Sequence, residues 1–297
     1  MASRFCKLGI IGWPLGYSLS PVMQEAALRS VGLEGEYKEH PVKPEDLELW
    51  LKNEGSKFAG FNVTMPYKKT VFNWLAENGS NRFGQPELLE DRILAVNTVV
   101  VKEGELIGYN TDGKGFLKPL ADRRLNLTGW HVVLLGSGGA ASAIAVALAR
   151  ETEVSRLTIW NRSERLDRAN LLAKKVNRLR GGAPFAVGTD DIQSFQMKDV
   201  NLLINATPVG MAGQGDFVFA AEKLSPDLVV YDLVYQPLKT ELIQIAKRRG
   251  CQVITGDEML AAQGAVAFEL FVDEPGISKK VYSVMRKALE EHFAAHS

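Results

Sequence analysis

An α/β protein of two domains is the fold that the sequence predicts, on three observations. Apolar runs of four to seven residues alternate with helical patterns almost throughout the chain, which is the signature of βαβ units and a mainly parallel sheet. The 297 residues are enough for two domains at roughly 150 residues each. A second series of strands begins near residue 130, after a first series that already has apolar residues for a core of its own.

In the first series, strands are expected near 5–11, 36–42, 57–63 and 94–101. Helices are expected near 21–31, 45–54 and 67–77, with a β-ribbon arm at 105–109. Residues 78–91 are polar and turn-rich at their start and read as a surface loop with one short helical turn. The second series predicts strands near 130–135, 156–161, 183–187, 200–205, 228–232 and 251–254. Six strands make a full dinucleotide-binding sheet. Beyond Gly256 the pattern turns helical, 257–271 and 277–293, with apolar residues three and four apart. Such helices must pack on something already built.

The balance of 46% hydrophobic and 24% charged residues is that of a folded globular protein. Thirty-five Lys and Arg against thirty-five Asp and Glu leave no net field to draw the chain to nucleic acid or to an anionic membrane, so a small-molecule partner is expected. Cys6 and Cys251 form no CxxC pair, which argues against a disulfide framework or a zinc site and suits a reducing cytoplasm. The start, MASRFCKLGIIGW, has only a short apolar run interrupted by Lys7 and is read as carrying no targeting signal. The segment 125–149 lacks charged side chains, but Gly136, Gly138 and Gly139 interrupt it, so a strand, turn and helix are expected there and no membrane span.

That segment holds the cofactor signal. WHVVLLGSGGAASAIAVALA (130–149) sets an apolar strand, a glycine cluster and a small-residue helix in succession, with Gly136, Gly138 and Ala141 on the G-x-G-x-x-G/A pattern. The first glycine makes the tight turn, the second admits a pyrophosphate against the backbone, and the small third residue lets helix and strand close up. The next strand ends at Asn161-Arg162-Ser163, where NAD enzymes usually carry an acid. An arginine with amide and hydroxyl neighbours suits a 2′-phosphate, so NADP is the expected cofactor, with Arg165 and Arg168 one helical turn further on.

A dehydrogenase needs a group to handle the alcohol proton, often a histidine. The four histidines, His40, His131, His292 and His296, belong to no motif, so the proton handler is sought among other residue types. GFNVTMPYKK (60–69) reads as a strand-to-helix junction with Pro66 at the first helical position, which puts Lys68 and Lys69 in the first turn. Cations there oppose the helix dipole, so these lysines are either functional or simply exposed. Asp112, in GYNTDGKG (108–115), is a catalytic candidate or a turn and cap residue. In GWPLGYSLSP (12–21), Ser20 reads as a helix N-cap followed by Pro21, and with Ser18 and the free helix amides it makes a carboxylate-sized pocket.

Taken together, nine ordered segments make the sequence similar to the shikimate dehydrogenases from about residue 8 to about 271: GWPLGYSLSP, GFNVTMPYKK, AVNT, GYNTDGKG, GSGGAAS, NRS, INATPVGM (204–211), YDLVYQPLKTEL (231–242) and MLAAQGAVAFELF (259–271). The resemblance implies a substrate-binding α/β domain over 1–113, completed by the helices of 257–297, and a Rossmann-like doubly wound NADP domain over 114–256, with a cleft between them. It implies reversible NADP-dependent reduction of 3-dehydroshikimate to shikimate, with Lys68 and Asp112 as catalytic pair and no metal. Ser18 and Ser20 would hold the substrate carboxylate, Thr64, Asn97 and Gln263 its ring hydroxyls, and Thr111 and Tyr235 would line the same cleft. Gly136, Gly138, Gly139 and Ala140 would meet the pyrophosphate, Asn161, Arg162 and Ser163 the 2′-phosphate, and Thr207, Pro208 and Met211 the nicotinamide. Tyr17 stands where a His is frequent, Gln24-Glu25 where a His-Asn pair is, Leu94 where a Gly is, and Leu166 where a second arginine is. The resemblance also takes in quinate/shikimate dehydrogenases of broader substrate and cofactor choice and catalytically silent regulatory relatives, and it leaves monomer and homodimer open.

Overall fold

The alternation of apolar runs with helical segments builds two separate sheets. The computed structural model describes residues 5–16, 18–78, 83–85, 94–182, 185–190, 197–211, 214–215 and 223–296. The chain divides into two compact units, Met1–Gly115 with Leu260–Ser297, and Phe116–Met259.

The first unit holds a sheet ordered β2-β1-β3-β4-β5, made of β1 (Cys6–Gly12), β2 (Gly35–Pro41), β3 (Gly60–Val63), β4 (Thr98–Lys102) and β5 (Glu105–Tyr109). β1 runs parallel to both β2 and β3, whereas β3, β4 and β5 are successively antiparallel. The predicted arm at 105–109 is β5; it returns from β4 through Glu103 and Gly104, both at positive φ (52° and 81°), the backbone of a two-residue hairpin whose twist matches its strands. Helices α1 (Ser20–Ser30), α2 (Leu47–Asn53) and α3 (Lys68–Glu77) follow the strands as expected. The core under α2 and α3 centres on buried Phe58 and Phe61, with Trp50 meeting Phe61 edge to face at 5.1 Å.

Two strand boundaries and one helix differ from the sequence reading. β3 begins at Gly60 rather than near 57, because 55–57 form a 3₁₀ turn. β4 begins at Thr98 rather than near 94: Leu94 has φ 51°, and Val96 N–H is taken by the Lys68 carbonyl of α3 instead of a strand partner. A helix that the periodicity did not reveal, α4 (Asp112–Asp122), carries Pro119 in its interior, a residue that argues against a helix in any window scan. Of the segment 78–91, the described residues are 78 and 83–85, where Phe83 bridges Gly108 and stacks on Phe72 at 4.9 Å. The remainder of that expectation lies outside the described residues.

The second unit is a six-stranded parallel sheet ordered β11-β10-β9-β6-β7-β8: β6 (His131–Leu135), β7 (Arg156–Trp160), β8 (Ala186–Thr189), β9 (Leu202–Asn205), β10 (Val229–Asp232) and β11 (Gln252–Ile254). Counted from β6, the order is 3-2-1-4-5-6, the doubly wound dinucleotide-binding arrangement. α5 (Gly139–Glu151), α6 (Leu166–Leu179) and α7 (Glu241–Arg248) lie wholly within this unit. β8 begins at Ala186, and residues 183 and 184 of the expected strand lie outside the described residues.

The final helices are α8 (Gly256–Val272) and α9 (Ile277–Ala295). From Leu260 onward they belong to the first unit. There Gly264 lies so close to α1 that an added Cβ would sit 2.6 Å from the Met23 methyl, and Gln24 Nε2 donates to the Gly264 carbonyl at 3.1 Å. α9 buries Val281, Met285 and Leu289, one residue per turn on one face. Among the described residues no helix is long and apolar enough to cross a membrane.

His131, on the central strand of the second sheet, is buried and shares a 2.9 Å hydrogen bond with Thr158 Oγ1. Burial, helped by the charge of Arg156, holds its pKa below the ordinary 6.5. Below pH 6.5 the unfolded chain therefore binds a proton at this position that the folded chain declines, and stability falls as pH falls. Denaturant unfolding of the wild type at pH 5 and pH 7.5 should show a loss at the lower pH that is smaller in His131→Gln; an equal loss in both would remove His131 from the account.

Candidate active site

The site is built around the start of α3. After β3 the chain turns at 64–67, closed by Tyr67 N–H donating to the Thr64 carbonyl at 2.9 Å, and Tyr67 Oη donates to the Val42 carbonyl at 2.5 Å, which pins the turn to the segment after β2. Pro66 stands inside this turn, after a cis peptide bond, and not at the first helical position that the sequence suggested. The first helical residue is Lys68, half-buried; Lys69 beside it is exposed. Thr64, half-buried, touches Gly12, where an added Cβ would lie 2.6 Å from its methyl group.

Lys68 Nζ donates to Asp112 Oδ2 at 2.6 Å. Asp112 is the first residue of α4 and is buried, and its own N–H is capped by Asn110 Oδ1 at 2.9 Å. Its second oxygen, Oδ1, accepts from Asn97 Nδ2 at 2.7 Å. Asn97 Oδ1 accepts from the Thr111 N–H and from Thr98 Oγ1, both at 2.9 Å. An ionised carboxylate can only accept and a backbone N–H can only donate, so the side-chain amide of Asn97 has one possible orientation. Asn97 Nδ2 also lies 3.0 Å from Thr111 Oγ1 and 3.4 Å from Gln263 Oε1, three acceptors for two hydrogens. Gln263 reaches this point because Gly115 has no side chain: a Cβ there would sit 2.5 Å from Gln263 Cβ and 2.8 Å from its nitrogen. Lys68, Asn97, Thr111, Asp112 and Gln263 are thus one hydrogen-bonded cluster within the first unit.

The serine loop differs in detail from the sequence reading. The N-cap of α1 is Leu19, Ser20 and Pro21 are its first two residues, and Ser20 caps nothing. The Ser18 hydroxyl takes the cap's part by accepting from Ser20 N–H at 3.2 Å, because the helix starts one residue earlier than expected. Ser18 N–H donates to Glu39 Oε1 at 3.2 Å. Ser20 is buried, and its side chain hydrogen-bonds Tyr37, whose fully buried phenol has its pKa pushed well up by desolvation. Tyr17 lies outside the described residues.

In the second unit the glycine turn divides its labour. Gly136 has φ 104°, and an added Cβ would meet the Ala206 carbonyl oxygen at 3.0 Å, so both conformation and packing demand glycine. Gly138 has an ordinary φ of −79°, and an added Cβ would touch nothing within 4 Å. No contact among the described residues requires glycine there, whereas a ligand lying against the backbone would. Gly138 is also the N-cap of α5 and offers no side-chain cap, so the first amides of the helix, at Gly139 and Ala140, have no intrahelical partner, an arrangement that favours an anion. Asn161 Nδ2 donates to Ser137 Oγ at 2.6 Å, and its Oδ1 accepts from Arg162 N–H at 2.9 Å, which ties the end of β7 to the glycine turn. Arg162, Ser163, Arg165 and Arg168 are exposed, while Leu166 is half-buried at the start of α6.

The segment that follows β9 is held from below. Asn205 Oδ1 accepts from Thr207 N–H (3.0 Å) and Thr207 Oγ1 (2.7 Å), and Asn205 Nδ2 donates to the Val209 carbonyl (3.0 Å) and to Asp232 Oδ1 (2.8 Å). Asp232 is fully buried, takes Thr240 Oγ1 on its other oxygen at 2.6 Å, and has its pKa raised by burial. Pro208 and Met211 are left exposed on the loop. Tyr235, half-buried, lies between β10 and α7. Asn205, Asp232 and Thr240, like Tyr37, Glu39, Asn62 and Thr98 in the first unit, were not singled out in the sequence. For Asn62, Thr98, Asn205 and Asp232 the signal was a polar residue at or beside the end of an apolar strand.

Residues 10–99 match the family described as shikimate dehydrogenase substrate binding domain. The chain is 37% identical over 290 residues to a shikimate dehydrogenase (NADP(+)) of Methanopyrus kandleri, spanning 96% of this chain and 95% of that protein. The solved structure of a shikimate dehydrogenase in complex with NADP+ superposes with a TM-score of 0.84 at 34% identity, covering 98% of this chain and 96% of the other. Shikimate 5-dehydrogenase from Thermus thermophilus, in complex with NADP(H) and shikimate, gives 0.79 at 36% identity over 96% of this chain and all 100% of the other.

The two glycines of the turn should separate in experiment. Gly136→Ala should cost about 1–3 kcal/mol of stability through its backbone conformation, whereas Gly138→Ala should unfold like the wild type and still lose dinucleotide affinity by calorimetry. Wild-type affinity in a folded Gly138→Ala protein would show that nothing lies against that backbone.

Proposed function

Because the chain belongs to the shikimate dehydrogenase family, its activity is the reversible NADP-dependent reduction of 3-dehydroshikimate to shikimate, and we propose that Lys68 and Asp112 are the residues that carry it. The observation that supports this most directly is the 2.6 Å bond from Lys68 Nζ to a buried Asp112 whose other oxygen is held by Asn97. NADP(H), when bound, supplies or accepts the hydride. Lys68 hydrogen-bonds the reacting oxygen and stabilises the alkoxide charge that develops there, and Asp112 fixes the direction of the ammonium group. A fixed ammonium does for this oxygen what a metal ion does in other dehydrogenases.

Ser18 and Ser20 take the substrate carboxylate, using a hydroxyl pair at a helix start. Thr64, Asn97 and Gln263 contact the ring hydroxyls, with Thr111 and Tyr235 beside them. The surplus of acceptors around Asn97 Nδ2 supports this, because Thr111 or Gln263 is free to turn to a hydroxyl without leaving Asn97 unpaired. Gly136, Gly138, Gly139 and Ala140 hold the pyrophosphate, for which the open space at Gly138 is the supporting observation. Asn161, Arg162 and Ser163 take the 2′-phosphate; the exposed guanidinium, with no carboxylate pairing with it among the described residues, is suited to that charge. Thr207, Pro208 and Met211 flank the nicotinamide. The substrate domain is assigned to 1–113 with 257–297 and the cofactor domain to 114–256. We place the enzyme in the cytoplasm, as a monomer or homodimer with small-molecule partners.

If Lys68 and Asp112 act as a unit, the losses should not add. Lys68→Ala and Asp112→Ala should each lower kcat for shikimate oxidation by orders of magnitude, and the double variant should be little worse than the poorer single one. Lys68→Arg should not restore turnover, since a guanidinium keeps its proton and its planar fork misplaces the donor. NADP affinity should survive in all of them, and near-normal turnover in either single variant would end the assignment.

A further inference from the structure

Behind Asn97 lies a polar chain that no step of the reaction uses. Tyr37 on β2, Asn62 on β3 and Thr98 on β4 are buried, with exposures of 1%, 6% and 0%. Asn62 and Thr98 are direct cross-strand partners. A line of polar side chains through the interior of a sheet is costly unless every group is satisfied, and an apolar set of the same volume would serve the core as well. Its presence calls for a task.

The direction of each bond is fixed by groups that have no choice. Asn62 Nδ2 lies 3.2 Å from the Asn97 backbone carbonyl, which can only accept, so the NH₂ of Asn62 faces Asn97 and its Oδ1 faces Tyr37. The Tyr37 hydroxyl therefore donates to Asn62 Oδ1, at 2.8 Å. The second hydrogen of Asn62 goes to Thr98 Oγ1 at 3.1 Å, and Thr98 in turn donates to Asn97 Oδ1 at 2.9 Å. Asn97 is left to present its NH₂ to Asp112, at 2.7 Å. Every donation runs one way, from Tyr37 through Asn62, Thr98 and Asn97 to the Asp112 carboxylate, so each bond polarises the next.

We propose that Tyr37, Asn62 and Thr98 are positioning residues that lock the Asn97 amide in the orientation which holds Asp112, and through Asp112 direct Lys68. The proposal rests on the catalytic reading of the Lys68–Asp112 pair. Asn97 Oδ1 accepts from Thr111 N–H and Thr98 Oγ1 at 2.9 Å each, with Thr111 Oγ1 further off at 3.3 Å, and of the two close donors only Thr98 Oγ1 can be removed by a side-chain change. With the Thr98 hydroxyl gone, Asn62 loses an acceptor and Asn97 a donor, and the grip on Asp112 Oδ1 loosens. Ser20 meets the chain only at its far end, through Tyr37, and Ser18 does not join it, so a change at Thr98 falls on turnover more than on carboxylate binding.

Thr98→Val keeps the shape and removes the hydroxyl. It should lower kcat for shikimate oxidation about tenfold, the equivalent of one hydrogen bond, with KM changed by no more than about twofold. Thr98→Ser, which restores the hydroxyl but not the methyl, should recover most of the turnover, a pattern that lost packing alone would not give. Without substrate or cofactor, acetic anhydride should label Lys68 severalfold faster in Thr98→Val than in the wild type, measured by mass spectrometry against exposed Lys69 as internal control. Unchanged kcat and unchanged Lys68 labelling in a folded Thr98→Val protein would overturn the proposal, as would equal impairment in the Val and Ser variants. Should Thr98→Val not fold, Tyr37→Phe removes the Tyr37 donor at little volume cost. Because it also takes a partner from Ser20, its KM is expected to rise, and the deciding readout is Lys68 labelling without substrate. That labelling must be faster than in the wild type; wild-type labelling there overturns the proposal as well. A wild-type protein inactive on shikimate would overturn the functional reading alone, since Lys68 labelling needs no substrate.

Discussion

A buried carboxylate is the constraint around which the first unit is arranged. Asp112 lies under a helix start with its two oxygens committed, one to Lys68 and one to Asn97. A charge removed from water needs a counter-charge and hydrogen bonds at good geometry, and withdrawing any one partner leaves an uncompensated group inside the protein. That requirement explains why the turn at 64–67 delivers Lys68 as the first residue of α3, against the helix dipole. It explains why Val96 N–H is tied to the Lys68 carbonyl, which brings Asn97 alongside. It also explains the glycine at 115, since Gln263 must come within contact of the same cluster.

The second unit meets a similar constraint without a cation. Asp232 closes β10 with no exposed surface, and its partners are neutral donors: Asn205, Thr240 and the Val234 amide. Burial accordingly raises its pKa. The two buried acids serve different ends. One directs an ammonium group, whereas the other ties the loops after β9 and β10 together, through Asn205 below Thr207 and through Thr240, which caps α7 with its hydroxyl. In both units a rigid polar knot lies just past the end of a strand, where the side chains proposed to meet ligand emerge.

What was legible in the sequence was local. The glycine turn, the strand before it and the helix after it occupy one continuous stretch, and the physics that selects glycine at 136 acts within a few residues. Most strands could be read because burial on both faces leaves continuous apolar runs, as in β6 and β9. α4 was not legible, since Pro119 is a local signal against helix that packing overrides. The start of α1 was misplaced by one residue and its accepting hydroxyl by two, because Ser18 and Ser20 carry the same chemistry and only the backbone decides which of them accepts an amide. The chain from Tyr37 to Asp112 depends on cross-strand register, Asn62 opposite Thr98, and register is fixed by pairing that no single segment encodes. The motifs nonetheless contained most of these residues. What the sequence lacked was which of them face one another.

The central claim is that Lys68, aimed by Asp112, meets the oxygen at which hydride is exchanged. Its most direct test is a crystal structure of this chain with NADP+ and shikimate bound. The account predicts Lys68 Nζ within about 2.6–3.2 Å of the hydroxyl on the carbon that faces the nicotinamide, its bond to Asp112 intact, and the substrate carboxylate on the hydroxyls of Ser18 and Ser20. A complex in which another side chain contacts that hydroxyl, with Lys68 directed only at Asp112, would contradict it.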